Sequence, residues 1–381
     1  MIALAQRAAA LALLAALAGC SSLPSWLGGG PDRPKPVELA PNVALIQVRP
    51  AWTARIGEVG FPLSVSVAGN TVAVASGSGE VAQLEAASGR QLWRANAGAP
   101  ISAGVGSDGK LTSVITRANE VVTFGATGEQ AWRQKLGAQA YTAPFVAGGR
   151  VFVLAADRSV TAYDGLTGRR LWNQQRPGEP LVLRQSGVML AVGDTLVVGL
   201  AGRLVGLNPL NGTVRWEAPI ATPRGTNDVE RLVDLVGTVS RIGTSVCARA
   251  FQARVGCVEA ERGTVAWTKP AAGAEGLHGD ERLVFGTESD GRVIAWRRDN
   301  GERAWTSDRL QYRSLTAPLA LGRSVVLGDG SGLVHMLSRE DGTPLNRLST
   351  DGTGIAAAPV LAGNTLVVVT RGGGVYGFVP E

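Results

Sequence analysis

Few residues of this 381-residue chain have the types and spacing that catalysis requires. Its imidazoles are His278 and His335, each alone in its part of the sequence, and we find no Ser/His/Asp set and no metal-ligand spacing around either. The glycine runs at 28–30 and 372–374 are typical of tethers and turns, because neither opens a helix as a phosphate-binding loop does. The chain therefore predicts no enzyme, no metal site and no cofactor.

Cys20 is one of three cysteines, and it could carry covalent chemistry of another kind. It follows Leu17-Ala18-Gly19, which resembles a bacterial lipobox, in which the cysteine thiol is the nucleophile that takes up diacylglycerol. Residues 1–19 combine Arg7 with a charge-free apolar run that is too short to span a bilayer and fits a signal peptide. We expect residues 1–19 to be a lipoprotein signal peptide and Cys20 to be lipidated. The alternative is a buried cysteine after an ordinary signal peptide.

The segment after Cys20 is expected to be a flexible tether over residues 20–42, because it is rich in Pro, Gly and Ser. Its Ser21, in place of Asp, resembles the enterobacterial signal that sorts lipoproteins to the outer membrane. Two or more acyl chains would then hold the protein stably on that membrane. The net charge of +6 comes from basic residues scattered singly, so nucleic acid is not an expected partner.

The remaining cysteines, Cys247 and Cys257, lie in the segment VCARAFQARVGCV. A hairpin centred on Gln252 places them opposite each other, at a separation that a disulfide tolerates. An exported lipoprotein would fold in the oxidising periplasm. We predict a Cys247–Cys257 disulfide, and the alternative is a pair of buried thiols.

The chain repeats a hexapeptide, TGRRLW, in several near-copies. The repeats indicate which secondary-structure elements position the histidines and cysteines. The tryptophan of the hexapeptide recurs about every 40 residues, and Asn346 occupies its place in a degenerate copy. The tryptophans are Trp52, Trp93, Trp132, Trp172, Trp216, Trp267 and Trp305. Such a period, with several short strands per unit, is typical of a β-propeller, and eight markers predict eight blades.

Each repeat reads as one blade of four antiparallel strands, as in residues 62–95. Gly89 and its equivalents would supply a positive φ in the last hairpin turn, and the following tryptophan would pack against a neighbouring blade. The pattern begins with an outer-type strand around Trp52 and ends with an inner-type strand, GGGVYGFV. We therefore predict an all-β, eight-bladed propeller over residues 43–381, its ring closed by the N- and C-terminal strands.

The repeat resembles the pyrroloquinoline-quinone (PQQ) type, which two families carry. The quinoprotein alcohol and glucose dehydrogenases have longer chains, a Ca²⁺ ligand set beside the quinone, an Asp base and, in many members, adjacent cysteines, none of which this chain matches. The BamB family of outer-membrane lipoproteins resembles the chain from lipobox through tether to ring. A dehydrogenase-like enzyme and a carbohydrate-binding propeller remain the alternative functions, although few of the nine tryptophans are free to stack on a sugar.

The resemblance to the BamB family also implies a binding site. The segment Leu181–Arg184 is similar to that family's Leu-x-Leu-Arg segment, and Glu230–Asp234 is similar to its Asp-Arg-Leu-Ser-Asp segment. In the family these residues contact the periplasmic POTRA domains of BamA, the barrel-inserting partner. The implied partner-binding residues are Leu181, Leu183, Arg184 and Asp234. The family's second Asp is replaced by Val236, which puts a second charge contact in doubt.

The intervals between tryptophans predict the same surface independently. The repeats after Trp172 and Trp216 are the longest, and their extra residues fall just after the outer strand, within 174–187 and 218–237. Connections of this kind emerge on one rim of a propeller, where insertions usually mark the binding face. The alternative is that Leu181 and Leu183 simply begin the next inner strand and that Asp234 is a turn residue.

Together these features predict a non-enzymatic scaffold, lipid-anchored on the periplasmic face of the outer membrane. It would bind BamA and the rest of the β-barrel assembly complex and aid the folding or insertion of outer-membrane proteins. It would do so by orienting BamA's periplasmic domains or by presenting strand edges to unfolded outer-membrane proteins, and the sequence leaves both open.

Overall fold

The computed structural model describes residues 34–176, 181–223, 226–227 and 231–381. The predicted signal peptide, 1–19, and Cys20 lie outside these residues. The described part consists of 32 β-strands in eight four-stranded sheets, and it has no helix long and apolar enough to cross a membrane. The chain divides into Met1–Pro36, of which only 34–36 are described, and the compact unit Val37–Glu381.

The first four blades are each built from four strands that follow one another in the chain. Blade 1 is β2 (Ser66–Ala68), β3 (Thr71–Ala75), β4 (Glu80–Glu85) and β5 (Gln91–Asn96). Blade 2 is β6 (Ile101–Ser107), β7 (Thr112–Thr116), β8 (Glu120–Phe124) and β9 (Gln130–Lys135). Blade 3 is β10 (Phe145–Ala147), β11 (Arg150–Leu154), β12 (Val160–Asp164) and β13 (Arg170–Gln174). Blade 4 is β14 (Met189–Val192), β15 (Thr195–Leu200), β16 (Arg203–Leu207) and β17 (Val214–Pro219).

Three further blades repeat the pattern, and the eighth joins the two ends of the chain. Blade 5 is β18 (Leu235–Ile242), β19 (Ser245–Ala250), β20 (Arg254–Glu259) and β21 (Thr264–Pro270). Blade 6 is β22 (Leu277–Gly279), β23 (Leu283–Thr287), β24 (Val293–Arg297) and β25 (Arg303–Ser307). Blade 7 is β26 (Leu319–Leu321), β27 (Ser324–Gly328), β28 (Leu333–Ser338) and β29 (Pro344–Ser349). Blade 8 is β30 (Val360–Ala362), β31 (Thr365–Val369), β32 (Gly374–Pro380) and β1 (Val48–Arg55).

Ring closure by both termini is confirmed, since β1 pairs antiparallel with β32 and Trp52 lies opposite Gly377. The assignment of the last strand to the inner position is wrong. β30 is the innermost strand of blade 8, so β32 is third and lies beside the outer strand. The fold is therefore the predicted eight-bladed propeller of four-stranded antiparallel blades.

Burial explains why the second and third strands of each blade are the most apolar. In β3, Val72 and Val74 point to one face of the sheet and Ala73 and Ala75 to the other, and all four are at most 1% exposed. Both faces are covered because a blade lies between two neighbours. The outer strand β5 borders solvent, and Trp93 is its one buried residue.

The repeated Trp and Gly meet across the seams between blades. Gly89 of blade 1 lies beneath Trp52 of blade 8 with a φ of 68°, and a Cβ there would come 2.4 Å from the indole. The same contact joins six further pairs: Gly128–Trp93, Gly168–Trp132, Gly212–Trp172, Gly263–Trp216, Gly301–Trp267 and Gly342–Trp305. The motif requires glycine both for the turn and for this close approach. The predicted packing of each tryptophan on a neighbouring blade is confirmed.

Blade 7 departs from this pattern because the next blade, blade 8, lacks the hairpin turn on which a tryptophan of blade 7 would pack. The third and fourth strands of blade 8 come from opposite ends of the chain, so no turn joins them. Residues 37–47, which we call the N-terminal strap, lie here instead. Asn346 donates from Nδ2 to Ile46 O at 2.6 Å and accepts from Asn42 Nδ2 at 3.0 Å. An amide satisfies both contacts, which explains why the tryptophan of this repeat is replaced.

The N-terminal strap extends beyond this contact. Leu45 N donates to Leu345 O at 2.7 Å, and Val37 N donates to Gln311 O at 3.1 Å. Arg313 donates from Nη2 to Val37 O at 2.9 Å. Residues 37–42, which the composition assigns to the flexible tether, therefore belong to the compact unit and contact blades 6 and 7.

Candidate functional site

Two long connections mark one face of the ring. Since strands of a blade alternate in direction, the connection from one blade to the next lies on the same face as the turn between second and third strands. The first long loop, 175–188, joins β13 to β14, and the second, 220–234, joins β17 to β18. Both are longer than the other connections between blades, and the structure describes part of each. Their predicted place after the outer strand is confirmed, and we call this side the insert face.

The end of the first long loop contacts β18 of blade 5 and the connection that follows that blade. Gly237 N donates to Ser186 O at 2.9 Å, and Gly187 forms an antiparallel bridge with Val236. Gln185 donates from Nε2 to Ala274 O at 2.8 Å. These contacts fix the end of the first long loop, just before it enters blade 4.

Leu181, Leu183 and Arg184 lie together in the first long loop. β14 begins only at Met189, so the alternative in which the two leucines begin the inner strand is wrong. Leu181 is 38% exposed, while Leu183 is half-buried and lines a cavity of about 50 Å³ beneath the loop. Arg184 is exposed, with its guanidinium carbon 5.6 Å from the centroid of the Tyr141 ring. The loop thus presents an apolar and a cationic group to solvent side by side.

Asp234 lies beside these residues, but its carboxylate faces the protein. Its Oδ1 accepts from Arg158 Nη1 at 3.0 Å, and its Oδ2 accepts from Leu183 N at 3.0 Å. The side chain of Asp234 is 16% exposed and that of Arg158 is 8% exposed. Asp234 therefore connects the second long loop to the first, in addition to any contact with a partner.

Val236 stands where the similar family has a second Asp. It is 1% exposed and lies opposite Arg249 in the β18–β19 pair. This position therefore presents no charge to a partner.

Two further residues of this surface, Tyr141 and Gln185, were not identified from the sequence. Tyr141 lies in the connection from β9 to β10, outside both inserts, and its hydroxyl donates to Gln139. Its contact with Arg184 joins residues from different connections, so no local pattern indicates it. Gln185 directly follows the family-like segment, and its amide donates to the Ala274 carbonyl in the connection between blades 5 and 6.

The two internal cysteines lie opposite each other in the β19–β20 hairpin, in the register that the spacing predicts. The structure joins them in a disulfide, and both residues are at most 1% exposed. Arg298 donates from Nη1 to Cys247 Sγ at 3.2 Å. The bond lies in the two middle strands of blade 5, whose inner strand follows the second long loop.

The two histidines have structural partners. Burial, and secondly the charge of Arg298, lower the pKa of His278, whose Nδ1 accepts from Ala320 N at 3.1 Å. His335 is buried, and its Nε2 lies 2.9 Å from Asp329 Oδ2. Among the described residues, no group of three His, Cys, Asp or Glu side chains could hold a metal ion.

A central cavity of about 1150 Å³ runs between the inner strands of the ring. Glu288 at its wall accepts from Arg249 Nη1 at 3.1 Å and from Ala272 N. Burial lowers the pKa of Arg249, and burial raises that of Glu275, which also lines the cavity. Glu288 and Arg249 thus neutralise each other within the fold.

Comparison with known proteins gives concordant results. The model of a family described as outer membrane protein assembly factor BamB matches residues 49–102 and 77–307. The protein of that name from Burkholderia pseudomallei is 40% identical over 349 residues, which cover 91% of this chain and 92% of that protein. The crystal structure of BamB from Moraxella catarrhalis superposes with a TM-score of 0.80 at 23% identity, covering 87% of this chain and 99% of that one.

The fold is also similar to that of an enzyme. A quinohemoprotein alcohol dehydrogenase from Pseudomonas putida superposes with a TM-score of 0.70 at 14% identity, covering 89% of this chain and 77% of that one. At such identities the structural similarities concern the fold alone.

Proposed function

Because this chain belongs to the family of the outer membrane protein assembly factor BamB, we propose that it is a non-enzymatic scaffold of the outer-membrane β-barrel assembly machinery. In this role it binds the periplasmic POTRA domains of BamA through the insert face. By holding those domains in a productive orientation, it aids the folding and insertion of outer-membrane proteins.

One observation carries this proposal, namely the arrangement of the first long loop. Leu181 is an exposed apolar side chain beside the exposed cation of Arg184, on the face that carries the longest connections. Arginine and tyrosine are enriched among binding hot spots, and the planar guanidinium can engage a carboxylate or stack on an aromatic ring. Tyr141 already supports the guanidinium, which lowers the entropy lost when a partner binds it.

The proposal includes an anchor at the periplasmic face of the outer membrane. Residues 1–19 would be removed as a signal peptide, and Cys20 would carry the acyl chains. The following tether, 20–42 by composition, would connect the lipid to the propeller, with residues 37–42 bound to the propeller as part of the N-terminal strap.

The test is recovery of this protein with the periplasmic fragment of BamA in a co-purification. We would replace Leu181→Glu together with Arg184→Glu, because both side chains are exposed and the fold can accommodate the change. The matched control is Leu166→Glu with Arg169→Glu, two exposed residues in the β12–β13 turn of blade 3 on the opposite face.

We expect the insert-face variant to lose at least about tenfold in recovered complex, while the control binds like the wild type. Circular dichroism and thermal unfolding should show both variants folded. Equal recovery of the two variants would contradict the proposed surface, and failure of the wild type to bind would contradict the proposed partner.

A further inference from the structure

Arg158 occupies a position at which an arginine is unexpected. It lies in the turn between the second and third strands of blade 3 with a φ of 63°. Positive-φ residues in the corresponding turns of other blades are mostly glycine, and the exceptions are Asn119 in blade 2, Ala201 in blade 4 and Gln252 in blade 5. The glycines are Gly79, Gly202, Gly291, Gly332 and Gly373. Glycine and asparagine enter this region more readily than a long side chain does, so the contacts of the Arg158 side chain are of interest.

The side chain of Arg158 contacts both long loops. Its guanidinium donates from Nη1 to Asp234 Oδ1 at 3.0 Å and from Nη2 to Leu181 O at 3.3 Å. Asp234 ends the second long loop, whereas Leu181 belongs to the first. The planar guanidinium group thus binds both loops, since Nη1 contacts the second loop and Nη2 contacts the first.

Asp234 completes the connection through its other oxygen. Its Oδ2 accepts from Leu183 N at 3.0 Å, so both carboxylate oxygens have partners within the protein. We call Arg158, Asp234 and the main chain of Leu181 and Leu183 the loop clamp. It fixes the backbone on both sides of Val182, directly before Arg184.

Apolar packing alone does not fix this loop. A cavity of about 50 Å³ remains beneath it, lined by residues that include Leu183, Arg158 and Tyr141. Among the described residues of the loop, 181–184 belong to no strand, and the backbone contacts with β18 begin only at Ser186 and Gly187. Around Leu181 and Leu183, the charged bonds of the loop clamp therefore add to the contacts of Gln185, Ser186 and Gly187 that fix the end of the loop.

We propose that Arg158 is a positioning residue for the partner site. Through the loop clamp it holds the first long loop in the conformation that presents Leu181 and Arg184, so that this loop need not be ordered when the partner binds. Pre-ordering of this kind strengthens binding without adding a contact. The inference rests on the proposed function, since it concerns the surface that binds BamA.

The test compares Arg158→Met and Arg158→Lys with the wild type. Methionine keeps the length of the side chain without its charge, and lysine keeps the charge but not the planar guanidinium group. The matched control is Arg117→Met, an exposed arginine in the same kind of turn one blade away. Hydrogen exchange of the Leu183 amide is measured in the free protein, and the Kd for the periplasmic fragment of BamA is measured by calorimetry.

We expect Arg158→Met to speed exchange of the Leu183 amide and to raise Kd, each by about tenfold. Arg158→Lys should restore part of both losses, and Arg117→Met should match the wild type. An arginine that served stability alone would change the unfolding temperature of Arg158→Met and leave the Kd of the folded protein unchanged.

Unchanged exchange in Arg158→Met would overturn the loop clamp. Faster exchange with an unchanged Kd would overturn the positioning role. If the wild type itself failed to bind BamA, the proposed function would be overturned, and the exchange data would still decide whether Arg158 orders the loop.

Discussion

At the scale of single residues, the buried carboxylate of Asp329 organises one turn of blade 7. Its Oδ1 accepts from Ser331 N at 2.9 Å and from Leu333 N at 2.9 Å. Its Oδ2 accepts from Arg313 Nη1 at 3.2 Å and lies 2.9 Å from His335 Nε2. Burial alone would raise the pKa of Asp329, but the bonds with His335 and the turn outweigh it and hold the pKa well below its usual range.

We expect Asp329→Asn to lower the free energy of unfolding by about 2–3 kcal/mol near neutral pH, because the amide leaves buried donors without an anionic partner. A lowered folded pKa means that the stabilisation is complete above the ordinary value of 3.8 and is lost as the pH falls from there toward the folded pKa. Denaturant unfolding at about pH 7 and about pH 3 should therefore show the wild type approaching the variant in acid.

The control is Asp341→Asn, in an exposed turn where Asp341 accepts from Thr343. It should change the free energy by no more than about 0.5 kcal/mol. A difference between Asp329→Asn and the wild type that stays constant with pH would contradict the role of the ionised carboxylate.

At the scale of elements, the N-terminal strap takes the place of a hairpin that the ring lacks. A chain that closes its ring with both termini must omit one turn, and residues 37–47 cover the outer strand that this omission leaves open. The strap exposes Val43 and Leu45, whereas Leu39 and Ile46 pack against the core, and the bonds to Asn346 add to this packing.

We expect Asn346→Ala to lower the free energy of unfolding by about 1–2 kcal/mol, since the bonds to Ile46 and Asn42 are both lost. Limited proteolysis should cut within the strap sooner than in the wild type. The control is Asn173→Ala, an exposed asparagine of β13, the outer strand of blade 3. Equal rates of cutting in the two variants would show that Asn346 does not hold the strap.

At the scale of the whole molecule, the ring is a succession of similar blades, and the disulfide is confined to one of them. Cys247 and Cys257 close a hairpin of ten residues' separation in blade 5, behind buried neighbours. Such bonds form and persist in oxidising compartments and are rare in the cytosol. Its redox state therefore reports where the whole chain folds.

We predict that protein exported with its signal peptide contains the Cys247–Cys257 bond. Trypsin cleaves after Arg249 and Arg254, so residues 242–249 and 255–262 should be recovered as one linked pair and separate on reduction. The measurement is mass spectrometry of tryptic peptides from the unfolded, alkylated protein, before and after reduction. Two alkylated single peptides before reduction would show that the thiols are free.

The sequence by itself determined the architecture and the face on which the two long connections lie. Propeller blades form from contacts between residues near each other in the chain. The spacing of the tryptophans from Trp52 to Trp305, with glycines such as Gly89, therefore predicts the blades, their number and the contacts between neighbouring blades. The same regular spacing located the inserts, because an insert changes an interval without disturbing the blades on either side.

Only the tertiary structure decided which residues the two inserts and the N-terminal strap contact. Asp234 turns its carboxylate toward Arg158, which lies 76 residues earlier in the chain, and Asn346 meets Ile46 from the far end of the sequence. Neither pairing has a local signal, because the partners are far apart in the chain. The second long loop brings Asp234 to a turn of blade 3, and the closing of the ring brings the N-terminal strap to blade 7. Side-chain direction within a connection depends on such distant neighbours, whereas the presence of the connection depends on the spacing of local motifs alone.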